Sequence, residues 1–249
     1  MNTGIVHVGV AGARGRMGRA VSQVLDERGE AITALRFDRG EEPNLAACDV
    51  VIDFTTAEGS ANLAERCASL GRPALVIGST GFNDQQRAVV REAAQRIPVV
   101  LSGNFSLGVN ILIGLVAQAA ERLPGDTWDA EVVEAHHRKK IDAPSGTALM
   151  LGEAVARGRG AELRELRDRP RDGITGAREP GRIGFAALRG GGIVGDHSVM
   201  FAAEDEILTL SHSARDRSLF ARGAVEAALW VAGKPPGLYD MQDVLGFRR

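Results

Sequence analysis

Apolar and polar positions along this chain change period several times. Ile5 to Val10 is a short apolar run rich in β-branched residues, the pattern of a buried strand. A glycine turn follows, and then Met17, Val21, Val24 and Leu25 recur at helical spacing. Ala31 to Phe37 predicts a second strand and Val50 to Phe54 a third. Ala61 to Leu70 predicts a helix, Ala74 to Ile77 a fourth strand, Asp84 to Arg96 a helix and Val99 to Leu101 a fifth strand. Strands alternating with helices predict an α/β architecture, a doubly wound parallel sheet.

The rhythm then changes. Leu107 to Leu123 predicts one long helix, Ala130 to Ala135 a strand and Gly146 to Arg157 a helix. Arg164 to Arg182 is dense in charge and carries Pro170, Pro180, Gly173, Gly176 and Gly181, so it predicts an exposed loop. Ile183 to Leu188, Ile193 to Ala202 and Glu206 to His212 are consecutive strand patterns. Strands without intervening helices predict an antiparallel or mixed sheet, hence a second domain of α+β type. Ser218 to Ala232 returns to helix and is stopped by Gly233 and the Pro235-Pro236 pair.

Composition narrows the picture. The chain has 249 residues and a formal net charge of −2, so no global field recruits nucleic acid or an anionic membrane. The N-terminus lacks the basic and apolar regions of a secretion leader, and no apolar run reaches membrane-spanning length. The two cysteines, Cys48 and Cys67, have neither metal spacing nor a disulfide framework and read as small core hydrophobes, which fits the cytoplasm.

Candidate chemistry starts at the first turn. Gly12, Ala13, Arg14, Gly15, Arg16 and Met17 lead from the first strand into the first helix, with Gly18 behind them. Small residues there let backbone approach a pyrophosphate, whose charge the helix start favours. Arg14 breaks the strict G-x-G-x-x-G spacing, so a plain tight turn is the competing reading. Asp38, 20 residues after Gly18, suits the hydroxyls of an adenosine ribose, and Arg39 beside it suits a 2′-phosphate. Together they suggest use of both NADH and NADPH. Gly78, Ser79 and Thr80 follow the fourth strand, and Ser102, Gly103, Asn104 and Phe105 follow the fifth. Ligands of open α/β sheets bind at such carboxyl ends.

The densest chemistry is the run from Glu134 to Thr147, EAHHRKKIDAPSGT. In extended backbone His136, Arg138 and Lys140 share one side, and His137 and Lys139 take the other. Ser145 is a good N-cap, and the N–H groups of Gly146 and Thr147 behind it suit a carboxylate. Histidine near neutrality is a proton donor, and lysine is an anion clamp. A solvated charged face remains an alternative reading of these residues. A nucleic-acid patch lacks interleaved aromatics, and a metal site lacks a third ligand at useful spacing. His7 and His212 read as structural. His197 is placed near a site by nothing independent.

The motifs GARGRMG, VVIDFT, IGSTGF, SGNFSLGVN, EAHHRKKIDAPSGTAL, RGGGIVGDHSVMF and ALWVAGKPPGLYDMQDVLGF together resemble the dihydrodipicolinate reductase family, nearly end to end. The resemblance implies a Rossmann-like dinucleotide-binding domain over 1–105 and 216–249. It implies an inserted α+β domain with a mixed sheet over 106–215, which binds substrate and assembles a homotetramer. It also implies NADH or NADPH as cofactor and a small cyclic dicarboxylate, 4-hydroxy-tetrahydrodipicolinate, as substrate. By that resemblance His136 is the proton donor and acceptor, Lys140 a proton donor, and His137, Gly146 and Thr147 touch substrate. Gly12 to Met17 match the pyrophosphate loop, Asp38 and Arg39 the ribose side, and Gly78 to Thr80 and Ser102 to Phe105 the nicotinamide side. Two departures stand out: Arg14 replaces a commonly small residue, and the stretch from Arg39 to Asp49 is short. The rival functions are another amino-acid or semialdehyde dehydrogenase of this architecture and a non-catalytic dinucleotide sensor.

Overall fold

The structure is a computed structural model that describes residues 4–248. Residues 1–3, part of the stretch read above for a leader, lie outside the described residues. In chain order the elements are β1 (Val6–Ala11), α1 (Arg16–Asp26), β2 (Ala31–Phe37), β3 (Val50–Asp53), α2 (Ala57–Leu70), β4 (Ala74–Ile77), α3 (Asp84–Ala93), β5 (Pro98–Leu101) and α4 (Leu107–Arg122). There follow β6 (Asp129–His136), α5 (Gly146–Gly158), α6 (Leu163–Leu166), β7 (Ile183–Arg189), β8 (Gly195–Ala202), β9 (Ile207–Ala214), α7 (Ser218–Val231), β10 (Gly237–Tyr239) and α8 (Met241–Val244). The chain divides into two compact units, one of residues 1–107 and 218–249, the other of 108–217.

The first unit holds a six-stranded parallel sheet in the order β10-β5-β4-β3-β1-β2. The chain runs from β1 outward to β2 and then crosses back to β3, so the switch point lies at β1 and β3. Strands β3 and β4 are buried along their whole length, as a sheet covered on both faces requires. One apolar cluster joins α1 and α7 to one face, through Val21, Leu25, Val225 and Val231. Another joins α2 and α3 to the other, through Leu63, Cys67 and Val90. Both cysteines are free and buried, and burial pushes the Cys67 thiol up to about 12. Local signals fix the helix ends. Thr56 caps α2 and left-handed Gly71 ends it, while Asn83 and Gln86 form a capping box on α3.

The second unit holds a four-stranded mixed sheet in the order β7-β6-β8-β9, with only β6 and β7 parallel. Helices α4 and α5 cover it through Leu112, Val116, Leu151 and Val155, against Val132, Val199 and Phe201. The charged stretch predicted as an exposed loop has no regular element from Asp168 to Arg182 and is exposed over most of its length, but a bridge and ion pairs hold it against the sheet. It opens with α6, makes a bridge from Arg167 to Ile183, and lays Arg171 and Arg178 on Glu131. Two elements past the Pro235-Pro236 stop have no counterpart in the sequence pattern. Strand β10 is three residues long, too short to show a period, and α8 is a single capped turn.

In the first unit Gly223 of α7 lies so close to the loop after β5 that an added Cβ would stand 1.7 Å from the Phe105 carbonyl oxygen. Gly223→Ala must push the helix off that loop. We expect a loss of about 1–3 kcal/mol in urea unfolding; an unchanged midpoint would show that the contact is dispensable.

Candidate functional site

The sequence-predicted residues of the first unit all fall at the carboxyl ends of its parallel strands. Gly12 has φ +69° and donates its N–H to the Phe37 carbonyl at 2.9 Å, which pins the turn after β1 to the end of β2. A Cβ on Gly18 would sit 2.2 Å from the Gly12 oxygen, so only glycine lets α1 start this close to the turn. Gly15 is the N-cap of α1 and offers no side chain to the helix's first N–H groups, while Arg16 and Met17 open the helix. The first N–H groups of the helix therefore have no side-chain cap, a geometry that suits an anion. Ala13 is half-buried and Arg14 exposed.

Asp38 follows β2 and is tied to the turn. It accepts the Arg14 N–H at 3.3 Å and lies 3.5 Å from the Arg14 guanidinium, which also reaches Glu41 at 2.9 Å. Arg39 is exposed. After β4, an added Cβ on Gly78 would strike the Phe54 ring at 2.1 Å, and the Ser79 hydroxyl lies 2.6 Å from that of Ser60. Ser60 in turn donates to the buried carboxylate of Asp53, which also accepts the Thr55 N–H at 2.8 Å. Thr80 is exposed. After β5, Ser102 donates to the Asn104 carbonyl at 2.8 Å, Gly103 is exposed, and the Phe105 ring packs edge-on against Phe54. Asp53, Phe54 and Ser60 were missed as supports of these loops. The signal was present, since VVIDFT places Asp53 at the carboxyl end of a fully buried strand.

In the second unit the pattern of β6 decides the geometry. Its buried face carries Ala130, Val132, Glu134 and His136. Two core positions are thus a carboxylate and an imidazole. Parallel pairing sets Arg189 of β7 opposite His136, and antiparallel pairing sets His197 of β8 opposite Glu134. The Glu134 carboxylate, 1% exposed, receives His136 Nδ1 at 2.5 Å, both terminal nitrogens of Arg189 at 2.8 Å, and the Ser145 backbone N–H at 3.1 Å. Burial alone would raise its pKa. The Arg189 fork, His136 and the Ser145 N–H outweigh that and hold it below the ordinary carboxylate value. His197 stands edge-on to His136, with ring centres 5.0 Å apart, and its Nε2 lies 3.1 Å from the Ser145 hydroxyl. Burial first, and the neighbouring His136 second, lower His197 to about 4. Ser145 caps α5 by accepting the Ala148 N–H, with Gly146 exposed and Thr147 half-buried at the helix start.

The expected extended run from His136 to Lys140 is not formed. The strand ends at His136, Arg138 and Lys139 make a turn, and Lys140 donates its N–H back to the His137 carbonyl at 3.1 Å. Side-chain alternation therefore stops at His136. Arg138 and Lys139 are exposed, His137 is half-buried, and Lys140 pairs with Asp142 at 2.9 Å. Lys140 and His136 are linked instead through a chain of contacts, because Arg189 grips the Asp142 carbonyl at 2.7 Å as well as Glu134. Sequence reasoning passed over Arg189, placed Glu134 at the head of the candidate run without a role, and noted His197 as able to approach a site without independent support. His212 lies opposite His197 on β9 and against Gly108, and His7 pairs with Asp49 on β1. Among the described residues no cluster of three metal-ligating side chains exists, and no helix is long and apolar enough to cross a membrane.

Family models cover both halves of the chain: dihydrodipicolinate reductase, N-terminus, over residues 6–105, and dihydrodipicolinate reductase, C-terminus, over 108–245. The chain belongs to the dihydrodipicolinate reductase family. A 4-hydroxy-tetrahydrodipicolinate reductase from Caulobacter vibrioides is 62% identical to it over 98% of both chains. Another from Acidiphilium cryptum is 49% identical over 99% of this chain and 100% of its own. Among solved structures, dipicolinate-bound dihydrodipicolinate reductase from Paenisporosarcina sp. TG-14 superimposes with a TM-score of 0.78. That match is 24% identical and covers 95% of this chain and 97% of the other, so it bears on the fold alone.

The neutral His197 generates a pH test. Its folded value of about 4 lies below the unfolded value near 6.5, so the unfolded chain takes up the proton first. Stability from this group is complete above about pH 6.5 and falls as pH drops toward 4, by up to about 3 kcal/mol. Glu134 adds its own loss only below the ordinary carboxylate value. In urea unfolding between pH 7 and 5, His197→Gln should show a shallower loss than the parent chain, and equal slopes would refute a neutral buried imidazole.

Proposed function

We propose that this chain is an NAD(P)H-dependent 4-hydroxy-tetrahydrodipicolinate reductase. It reduces that cyclic dicarboxylate to tetrahydrodipicolinate with loss of water, in diaminopimelate and lysine biosynthesis. The observation that carries the reading is the shared carboxylate of the second unit. Glu134 grips both the imidazole of His136 and the backbone of Ser145, the N-cap of α5. A proton donor and an anion-receiving helix start are thereby held as one body.

The residues of the first unit fit a dinucleotide. The glycine cradle and the uncapped start of α1 suit its pyrophosphate, through Gly12, Ala13, Arg14, Gly15, Arg16 and Met17. Asp38 suits the ribose hydroxyls, Arg39 a 2′-phosphate, and the loops Gly78–Thr80 and Ser102–Phe105 the nicotinamide side. When bound, the nicotinamide supplies the hydride that goes to ring C4 of the substrate. The second unit does the rest. Gly146 and Thr147 at the start of α5, with His137 and Lys140, hold the two carboxylates and fix the ring. Loss of the C4 hydroxyl with a proton from the neighbouring ring carbon, as water, would leave a conjugated ring; hydride addition at C4 would then put negative charge on that conjugated system, and His136 or Lys140 would deliver the proton that neutralises it. A homotetramer built through the second unit's sheet belongs to the same reading. Its edge strand β9 leaves Ile207 and Leu208 exposed, as an interface strand would. A cytoplasmic location accords with the two free cysteines.

The purified chain should oxidise NADH and NADPH only when given the product of dihydrodipicolinate synthase. His136→Gln should cut kcat by about 10²–10⁴-fold with cofactor affinity unchanged. Lys140→Ala should raise KM for the dicarboxylate and lower kcat. Full turnover in His136→Gln, or a Lys140→Ala defect confined to cofactor binding, would remove those roles.

A further inference from the structure

We propose that Glu134 is the positioning residue of the acid–base step. It decides which nitrogen of His136 exchanges the proton and keeps that imidazole aligned with the helix start that receives a substrate carboxylate. This rests on the role given to His136 above.

The four contacts on the carboxylate fill its acceptor directions. His136 Nδ1 and one Arg189 nitrogen meet one oxygen, and the other Arg189 nitrogen and the Ser145 N–H meet the second. An ionised carboxylate only accepts, so His136 Nδ1 must donate to it. The exchanging nitrogen is then Nε2, beside Gly195, where an added Cβ would come within 3.2 Å. Glycine at 195 leaves that side of the ring clear of a side chain. Arg189 keeps Glu134 anionic, so Glu134 orients and stabilises the imidazolium without taking its proton.

The charged and titratable groups packed around the imidazole leave Glu134 as its partner. On β7, Arg189 is bound to Glu134 itself. On β8, His197 is neutral, and His212 of β9 lies behind it with its own pKa lowered by burial. In the loop before α5, Lys140 is paired with Asp142. Among the described residues, Glu134 is the one anion within hydrogen-bond distance of the His136 ring.

The test is the pH dependence of kcat in Glu134→Gln, run beside His136→Gln. A general acid loses activity as the solution becomes basic. Without the anion behind it the imidazolium is less stable, so in Glu134→Gln this loss should occur at lower pH. Turnover at neutral pH should fall about 10–100-fold, and NADH affinity should be unchanged. Unaltered turnover and an unmoved basic limb in Glu134→Gln, with His136→Gln inactive, overturn this proposal and leave the function standing. A fully active His136→Gln removes the role given to His136 and this proposal with it, and leaves the reductase activity itself standing. Should Glu134→Gln not fold, 15N-histidine NMR of the parent chain decides. A neutral His136 protonated at Nδ1 supports the assignment, and one protonated at Nε2 overturns it.

Discussion

The second unit depends on a carboxylate shut off from bulk solvent: Glu134 is 1% exposed. Taking an ionised carboxylate out of solvent costs several kcal/mol, and it persists in a core only if charge and hydrogen bonds replace its hydration. Glu134 does this with Arg189, His136 and the Ser145 N–H, drawn from β7, β6 and the start of α5. Each partner is a part that function would need to hold still. Arg189 extends the grip to the Asp142 carbonyl, and Asp142 holds Lys140. One buried charge therefore determines where the imidazole, the amine and the helix start lie with respect to each other. Removing Arg189 would strand the Glu134 carboxylate, which is 1% exposed, without its main counter-charge, whereas the Arg189 guanidinium keeps a solvent-facing side.

The first unit meets a different constraint, the approach of backbone to backbone. Gly18 allows α1 to start against the Gly12 carbonyl, Gly78 lies where a side chain would occupy the Phe54 ring, and Gly223 brings α7 onto Phe105. These contacts place the loops after β1, β4 and β5 on the same edge of one parallel sheet. Asp53, Ser60 and Ser79 brace the middle of that edge with hydrogen bonds that need no cation. The two units thus fix their loops by different means, close backbone packing in one and a buried carboxylate with all its acceptor directions filled in the other.

Much of this was legible in the sequence, because long periodic segments declare themselves. The βα alternation to Leu101, the consecutive strands from Ile183, and Ser145 as an N-cap all follow from local pattern and local hydrogen bonding. What failed was extrapolation of a period past its element. Carried forward from His136, alternation meets a turn before Lys140; carried backward, it puts Glu134 on the same inward face. Arg189 and His197 were out of reach for another reason. They meet Glu134 through sheet register between segments 55 and 63 residues distant, and no local spacing encodes register. Strand β10 was invisible because three residues on a sheet edge show no period.

If the Glu134 cluster aims Nε2 of His136 at a dicarboxylate held by the start of α5, a crystal structure of the chain with nicotinamide cofactor and pyridine-2,6-dicarboxylate measures it directly. One carboxylate should lie on the N–H groups of Gly146 and Thr147, with His136 Nε2 within about 3.5 Å of the ligand. A dicarboxylate bound elsewhere, with His136 Nε2 facing only solvent, would contradict it.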